Sequence, residues 1–424
     1  MSNNQPQKKL DLVIIGNGMA GLRTVEDLLA AAPERYNITV FGAEPHASYN
    51  RIMLSPVLAG DKAFVDIQTH DRDWYVEQGI TLHTGEAVTS IDRRRRMVVS
   101  ESGREVGYDR LLLATGSRPF IIPVPGHDLD GVISFRDISD VDRMVKASEN
   151  GGQAVVIGGG LLGLEAAYGL HKRGMQVTIV HLMGTLMERQ LDPTAAQLLQ
   201  HSLAQRGLSF RMKAETAEIV GQNGKVTGLR FKDADKSLID AEIVVMAVGI
   251  RPNIELAKKA GLHCGKGLVV NDTMQTYDPR IYAVGECVEH RSSVYGLVAP
   301  LWDQARVCAN HLAYRGHTHY GGSVTATQLK VTGIDMYSAG DFADGEDTET
   351  LTYADIRRGV YKRIVLRDNH IQGVVLYGET RDGGWYFKHM QAGTDVSDWR
   401  DLLLFGKAFV EARDPTQSPT REAA

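Results

Sequence analysis

Apolar residues in this chain fall into short runs punctuated by glycine. Leu12 to Ile15 is one such run, closed by Gly16. Four residues are too few for a helix, so the run predicts a buried parallel strand. It opens "LDLVIIGNGMAGLRTVEDLLAAA", which reads strand, glycine turn, helix. The same reading returns 142 residues later in "QAVVIGGGLLGLEAAYGLHKRG". A whole fold unit is therefore duplicated, which is not the pattern of a short solenoid repeat. Between the copies, "ITLHTGEAVTSIDRRRRMVVSESGREVGYDRLLLATG" alternates β-branched residues with charges and turns, predicting an antiparallel meander. From about Tyr320, "SVTATQLKVTGIDMYSAGDF" and "YKRIVLRDNHIQGVVLYGET" read as strands of an α+β domain. The polar residues 1–9 read as a leader, and 411–424 as a disordered tail.

Composition narrows the function. With 43% hydrophobic and 23% charged residues, the 424-residue chain is an ordinary globular protein of about three domains. The net charge of −5 argues against nucleic-acid binding. Cys264, Cys287 and Cys308 form no C-x-x-C pair and cannot supply a four-thiolate zinc or iron–sulfur site, so no metal is expected. No apolar run approaches the length of a membrane span, and the N-terminus lacks a signal-peptide core. The expected compartment is the cytoplasm. The 44 glycines exceed the usual share of about 7%, pointing to tight turns and close backbone approach to a ligand.

The first glycine motif is Gly16-Asn17-Gly18-Met19-Ala20-Gly21. Gly16 permits the turn, Gly18 admits a pyrophosphate, and Gly21 lets helix pack on strand. The helix N-terminus then favours the anion. Glu44, after "ITVFGA", is the acid expected to accept hydrogen bonds from an adenosine ribose. The second motif is Gly158-Gly159-Gly160-Leu161-Leu162-Gly163, with Glu165 one turn into its helix as a site residue or a structural salt-bridge partner. Its second strand ends at His181, where neither an acid nor an arginine stands. His181 is read as a neutral lining residue, with a phosphate clamp as the alternative, and discrimination is expected to be modest with a lean to NADH. Two dinucleotide sites in one chain match a resident flavin and an exchanging nicotinamide. "LLLATGSRP", with Thr115 and Gly116, "VVMAVGIRPN", with Gly249, and "RIYAVGECVE", with Gly285 and Glu286, have the same strand-into-glycine-turn character.

The order of these motifs resembles the FAD- and NAD(P)H-dependent pyridine nucleotide reductases. More closely, "EPHASYNRIMLS", "VHLMGTLMERQLDP", "LWDQARVCANHL" and "TRDGGWYFKHMQAGTDVSDWRDLLLFG" look like the flavin module of assimilatory NAD(P)H nitrite reductase large subunits. The resemblance implies an α/β fold: two Rossmann-like dinucleotide-binding domains and a C-terminal α+β domain. The FAD domain would take 10–120 and 245–316, the NAD(P)H domain 121–244, and the α+β domain 317–410. It implies that Gly16, Gly18, Met19, Ala20, Gly21 and Glu44 hold the FAD adenosine diphosphate. Arg51, Thr115, Gly116 and Gly249 would lie along the flavin nucleotide, and Glu286, after Gly285, would bind ribitol. Leu301 to Gln304 would form a helix N-terminus at the flavin, with Trp302 there or simply packed in the core. Gly158, Gly160, Gly163 and His181, supported by Glu165, would receive NAD(P)H.

Pro56 stands where related NADH oxidases carry a cysteine, so thiol redox chemistry is not expected. Hydride transfer to FAD would need no nucleophilic side chain. Electrons would pass to a separate iron–sulfur or sirohaem protein of nitrite or nitrate assimilation, whose centres these residues cannot rebuild. The alternatives are a rubredoxin or ferredoxin reductase of another pathway, and a flavin-bound sensor or assembly subunit without turnover. Arg93 to Arg96 reads as a solvated hairpin turn, with docking of an acidic partner as the other possibility. The oligomeric state is left open.

Overall fold

The short glycine-bounded runs do become parallel strands. The computed structural model of the chain describes residues 8–331 and 333–413. The expected leader and tail lie largely outside these; Lys407–Arg413 is helical. The described residues divide into two compact units. The first runs to Phe120 and adds Arg136–Asp142 and Gly249–Ser323. The second comprises Ile121–Phe135, Arg143–Val248 and the chain from Val324.

The first unit is built on a five-stranded parallel sheet. Its order is Ile281–Ala283, Arg110–Leu113, Leu10–Ile15, Tyr36–Gly42 and Ile80–Thr84. Leu12, Val13, Ile14, Leu111, Leu112 and Leu113 are all essentially inaccessible. Such continuous burial is what a parallel sheet covered on both faces requires. The helix Met19–Ala31 follows the first strand. The expected meander is narrower than its sequence: Val88–Asp92, Met97–Ser100 and Glu105–Gly107 pair antiparallel, while the flanking strands of that run join the parallel sheet.

The second unit repeats the plan with Ser209–Arg211, Gln176–Val180, Gln153–Ile157, Ile243–Met246 and Val132–Ser134, again all parallel. From Ala326 to Tyr377 a five-stranded antiparallel sheet follows, covered by the helix Gly383–Ala392. Two buried tyrosines of that sheet reach the helix Pro193–Gln205: Tyr361 donates to its capping residue Asp192 at 2.9 Å, and the Tyr377 and Ser202 hydroxyls lie 2.6 Å apart.

This division differs from the expected one. Arg136–Asp142 leaves the 121–244 block for the first unit, and 324 onward groups with the second instead of standing apart. The reason for the former is local bonding: Arg136 pairs with Glu286, and Ile138 N–H donates to Tyr49 Oη at 3.3 Å. Among the described residues no helix is long and apolar enough to cross a membrane. Tyr361→Phe removes a donor from a buried carboxylate and should cost about 1–3 kcal/mol. Scanning calorimetry should record this as a lowered Tm, with unchanged far-UV circular dichroism.

Candidate functional site

Both glycine loops have the same backbone. Gly16 has φ +114° and Gly158 φ +122°, values that L side chains rarely adopt. A β-carbon on Gly16 would strike Ala114 O, and one on Gly158 would strike Ala247 O. A β-carbon on Gly21 would strike Gly16 O, and one on Gly163 would strike Gly158 O. Gly18 and Gly160 are the opposite case. Each is an extended N-cap (φ −87° and −85°), and a β-carbon there would have no atom within 4 Å. Neither following helix has a side-chain cap or an acid in its first turn. Their leading N–H groups are thus turned to open space with the positive end of the dipole.

In the first unit two further loops meet the first glycine loop, and a third meets the "ATG" turn. Ala114 of the "ATG" turn packs on Gly16 and Gly21, and Gly285 (φ +94°) would place a β-carbon 3.1 Å from Ala20 Cβ. Thr115 Oγ1 donates to Asn253 O at 2.8 Å, Asn253 Nδ2 returns a bond to Thr115 O at 2.9 Å, and Asn253 N–H donates to Gly116 O at 2.9 Å. Gly249 (φ +115°) accepts from Phe120 N–H. A line of charge runs beside these turns. Glu44 accepts from Tyr49 Oη at 2.6 Å and pairs with Arg51. Arg51 Nη1 also donates to Arg136 O at 3.0 Å. Arg136 pairs with Glu286, whose Oε2 accepts from Ser117 Oγ at 2.8 Å. Burial alone would lower the Arg51 pKa, but the Tyr49 hydroxyl and Glu44 carboxylate overcome it and hold the pKa above its ordinary value.

This unit keeps polar atoms that nothing satisfies. Asn17 Nδ2, Arg136 Nε and Gln304 Nε2 are buried without a hydrogen-bond partner. Gln304 is fully buried, and its Oε1 accepts from Gly285 N–H at 2.8 Å. Orphaned donors of this kind are rare in native structures and call for a partner that the chain itself does not supply. Three cationic or amide donors, an uncapped helix and an open glycine fit an anionic dinucleotide such as FAD. Neither Arg136 nor Ser117 stood out in the sequence. Arg136 lies just after the short strand Val132–Ser134, a place it shares with many surface arginines.

Trp302 and its neighbours need correction. The helix is Val298–Leu312, so Leu301–Gln304 lies a turn inside it and does not form its N-terminus. Pro300 sits in its first turn, where a missing N–H costs nothing. Trp302 is 45% exposed, which removes the core-packing alternative.

The second loop has a different support. His181 is buried, and its Nδ1 accepts from Gly159 N–H at 3.0 Å. Its Nε2 therefore carries the proton and donates to Glu188 Oε2 at 3.1 Å. Both ring nitrogens are thus committed within the chain. Glu165 is half-buried in the second turn of Leu161–Lys172. The Arg93–Arg96 run is a turn in which Arg93 pairs with Asp278 at 2.8 Å and Arg95 with Glu105 at 3.4 Å. Burial raises the thiol pKa of Cys264, Cys287 and Cys308 alike, keeping all three from acting as thiolates.

Residues 10–311 match the pyridine nucleotide-disulphide oxidoreductase family. The chain belongs to that family. It is an FAD-dependent NAD(P)H oxidoreductase. Residues 326–394 match the rubredoxin NAD+ reductase C-terminal domain. The chain is 51% identical over 404 residues to a nitrite reductase (NAD(P)H) of Bacillus subtilis, covering 95% of this chain and 50% of the relative. It is 46% identical to the assimilatory nitrate reductase electron transfer subunit of the same organism, covering 88% and 48%. It thus spans about half the length of these relatives. Putidaredoxin reductase, solved as a covalent complex with putidaredoxin, superposes with a TM-score of 0.85 at 26% identity, covering 96% of this chain and 98% of that one.

Gly16→Ala and Gly18→Ala should separate folding from FAD retention. The first forces a β-carbon into Ala114 O at positive φ, and should cost several kcal/mol, on the order of the strain plus overpacking penalties. The second should change stability by less than about 1 kcal/mol while lowering the bound FAD. Calorimetry and the flavin-to-protein absorbance ratio check both.

Proposed function

We propose that the first unit holds FAD, the second receives NAD(P)H, and the electrons leave to a separate iron–sulfur or sirohaem protein of nitrite or nitrate assimilation. The observation that carries this reading is the duplicated loop: the same dihedrals, the same glycine-on-glycine packing and the same uncapped helix, twice in one chain. When bound, FAD accepts a hydride from NAD(P)H and can release electrons singly.

The chain's own residues bind and orient. Gly18 and the first N–H groups of Met19–Ala31 take the pyrophosphate, and Gly16 and Gly21 hold that turn in place. Arg136 offers its unsatisfied Nε and its charge to the same group. Glu44, fixed by Tyr49 and Arg51, accepts from the adenosine ribose. Glu286, fixed by Ser117 and Arg136, does so for ribitol hydroxyls, beside Thr115, Gly116, Gly249 and Gly285. The amino-terminal turns of Val298–Leu312, with Gln304 and Trp302, stabilise negative charge on the reduced ring. Gly158, Gly160 and Gly163 do for NAD(P)H what their counterparts do for FAD, with Glu165 and His181 in support. No step needs a nucleophilic side chain.

The names of the two Bacillus relatives support the assimilatory acceptor. The rubredoxin-reductase match at 326–394 and the likeness to putidaredoxin reductase favour a second reading, with rubredoxin or a ferredoxin as acceptor. FAD-loaded protein mixed anaerobically with NADH should bleach, recolour with ferricyanide, and leave nitrite untouched. A flavin spectrum unmoved by either nicotinamide nucleotide would sink the reductase reading in favour of a sensor. Nitrite consumed by these 424 residues alone would sink the separate acceptor. Faster reoxidation by rubredoxin than by a nitrite reductase component would favour the second reading.

A further inference from the structure

The second loop lacks an acid where the ribose of a dinucleotide is usually gripped, at the end of the second strand. His181 stands there instead, and cannot do the acid's work. Its Nδ1 is spent on Gly159 N–H and its Nε2–H on Glu188. The ring also packs directly under the loop, since a β-carbon on Gly159 would lie 2.8 Å from it.

The segment after the strand returns to the loop. Met187 N–H donates to Gly159 O at 3.0 Å, and Lys213 N–H donates to Met183 O at 3.1 Å. Both ends of this return are therefore tied, and Glu188 directly follows the tied Met187. Its side chain is 36% exposed, and among the described residues its only hydrogen-bonding or ionic partner is His181. Leu182 and Met183, at the start of the return, are 60% and 47% exposed.

We propose that Glu188, oriented by His181, is the ribose-gripping acid of this site and selects NAD(H) over NADP(H). One carboxylate oxygen accepts a hydrogen bond from the imidazole N–H, leaving lone pairs for the 2′-hydroxyl. A 2′-phosphate in the same place meets a negative charge. His181 is a positioning residue, and Glu188 touches the nucleotide. The exposed Arg189 next to it is the opposing influence, since a guanidinium there would draw a phosphate.

The inference rests on reading 158–163 as the nicotinamide-nucleotide loop. The test is calorimetric titration of the FAD-loaded protein with NAD+ and with NADP+, which involves no turnover. The unmodified protein should bind NAD+ more tightly. Glu188→Gln keeps size and a hydrogen-bonding oxygen but loses the charge; it should weaken NAD+ about tenfold while NADP+ holds or tightens, moving the ratio by tenfold or more. His181→Asn, which can still accept from Gly159 N–H but cannot reach Glu188, should move the ratio the same way by a smaller factor. If Glu188→Gln weakens both nucleotides equally, or changes neither, the proposal fails while the loop reading stands. If the unmodified protein prefers NADP+, Arg189 dominates and the proposal fails. If it binds neither nucleotide, the loop reading itself fails.

Discussion

Everything at the two loops depends on backbone lying against backbone. Gly21 rests on the carbonyl of Gly16, and Gly163 on that of Gly158, with no space for a β-carbon at any of the four. That contact brings each helix onto its strand at a fixed angle. It also leaves the third member of each loop, Gly18 or Gly160, facing open space with an uncapped helix behind it. A cap residue would satisfy those N–H groups from within the chain and remove the reason for an anion to come. Isolated helix ends have no such need to remain bare.

The first unit adds a second constraint, a chain of charges from Glu44 through Arg51 and Arg136 to Glu286. Arg136 and Glu286 are 18% and 12% exposed, so their pairing is made where desolvation is costly. Such pairs add little net stability, yet removing one partner leaves an uncompensated charge. The link binds the short segment Arg136–Asp142 into a unit to which neither flank belongs. The second unit solves the same local problem with a neutral ring. An imidazole under Gly159 accepts the loop's N–H and donates its own N–H outward to Glu188. The two loops are alike in backbone and unlike in charge.

What could be read from the sequence alone were features whose physical cause is local. Positive φ singles out Gly16 and Gly158, and the lack of room for a β-carbon singles out Gly21 and Gly163. A run such as Leu12 to Ile15 can hardly be other than a buried parallel strand, and the order of the longer motifs carried the family. What only the tertiary structure decided were partners far apart in the chain. Arg136 meets Glu286 across 150 residues, Gln304 meets the Gly285 turn, and Tyr361 meets Asp192. The start of the helix Val298–Leu312 was hidden because Leu297 offers no capping side chain, so no local signal marks it. His181 was visible as a missing acid, but its protonation pattern was not. That pattern is set by which groups the folded chain brings to each ring nitrogen, and no spacing along the sequence encodes it.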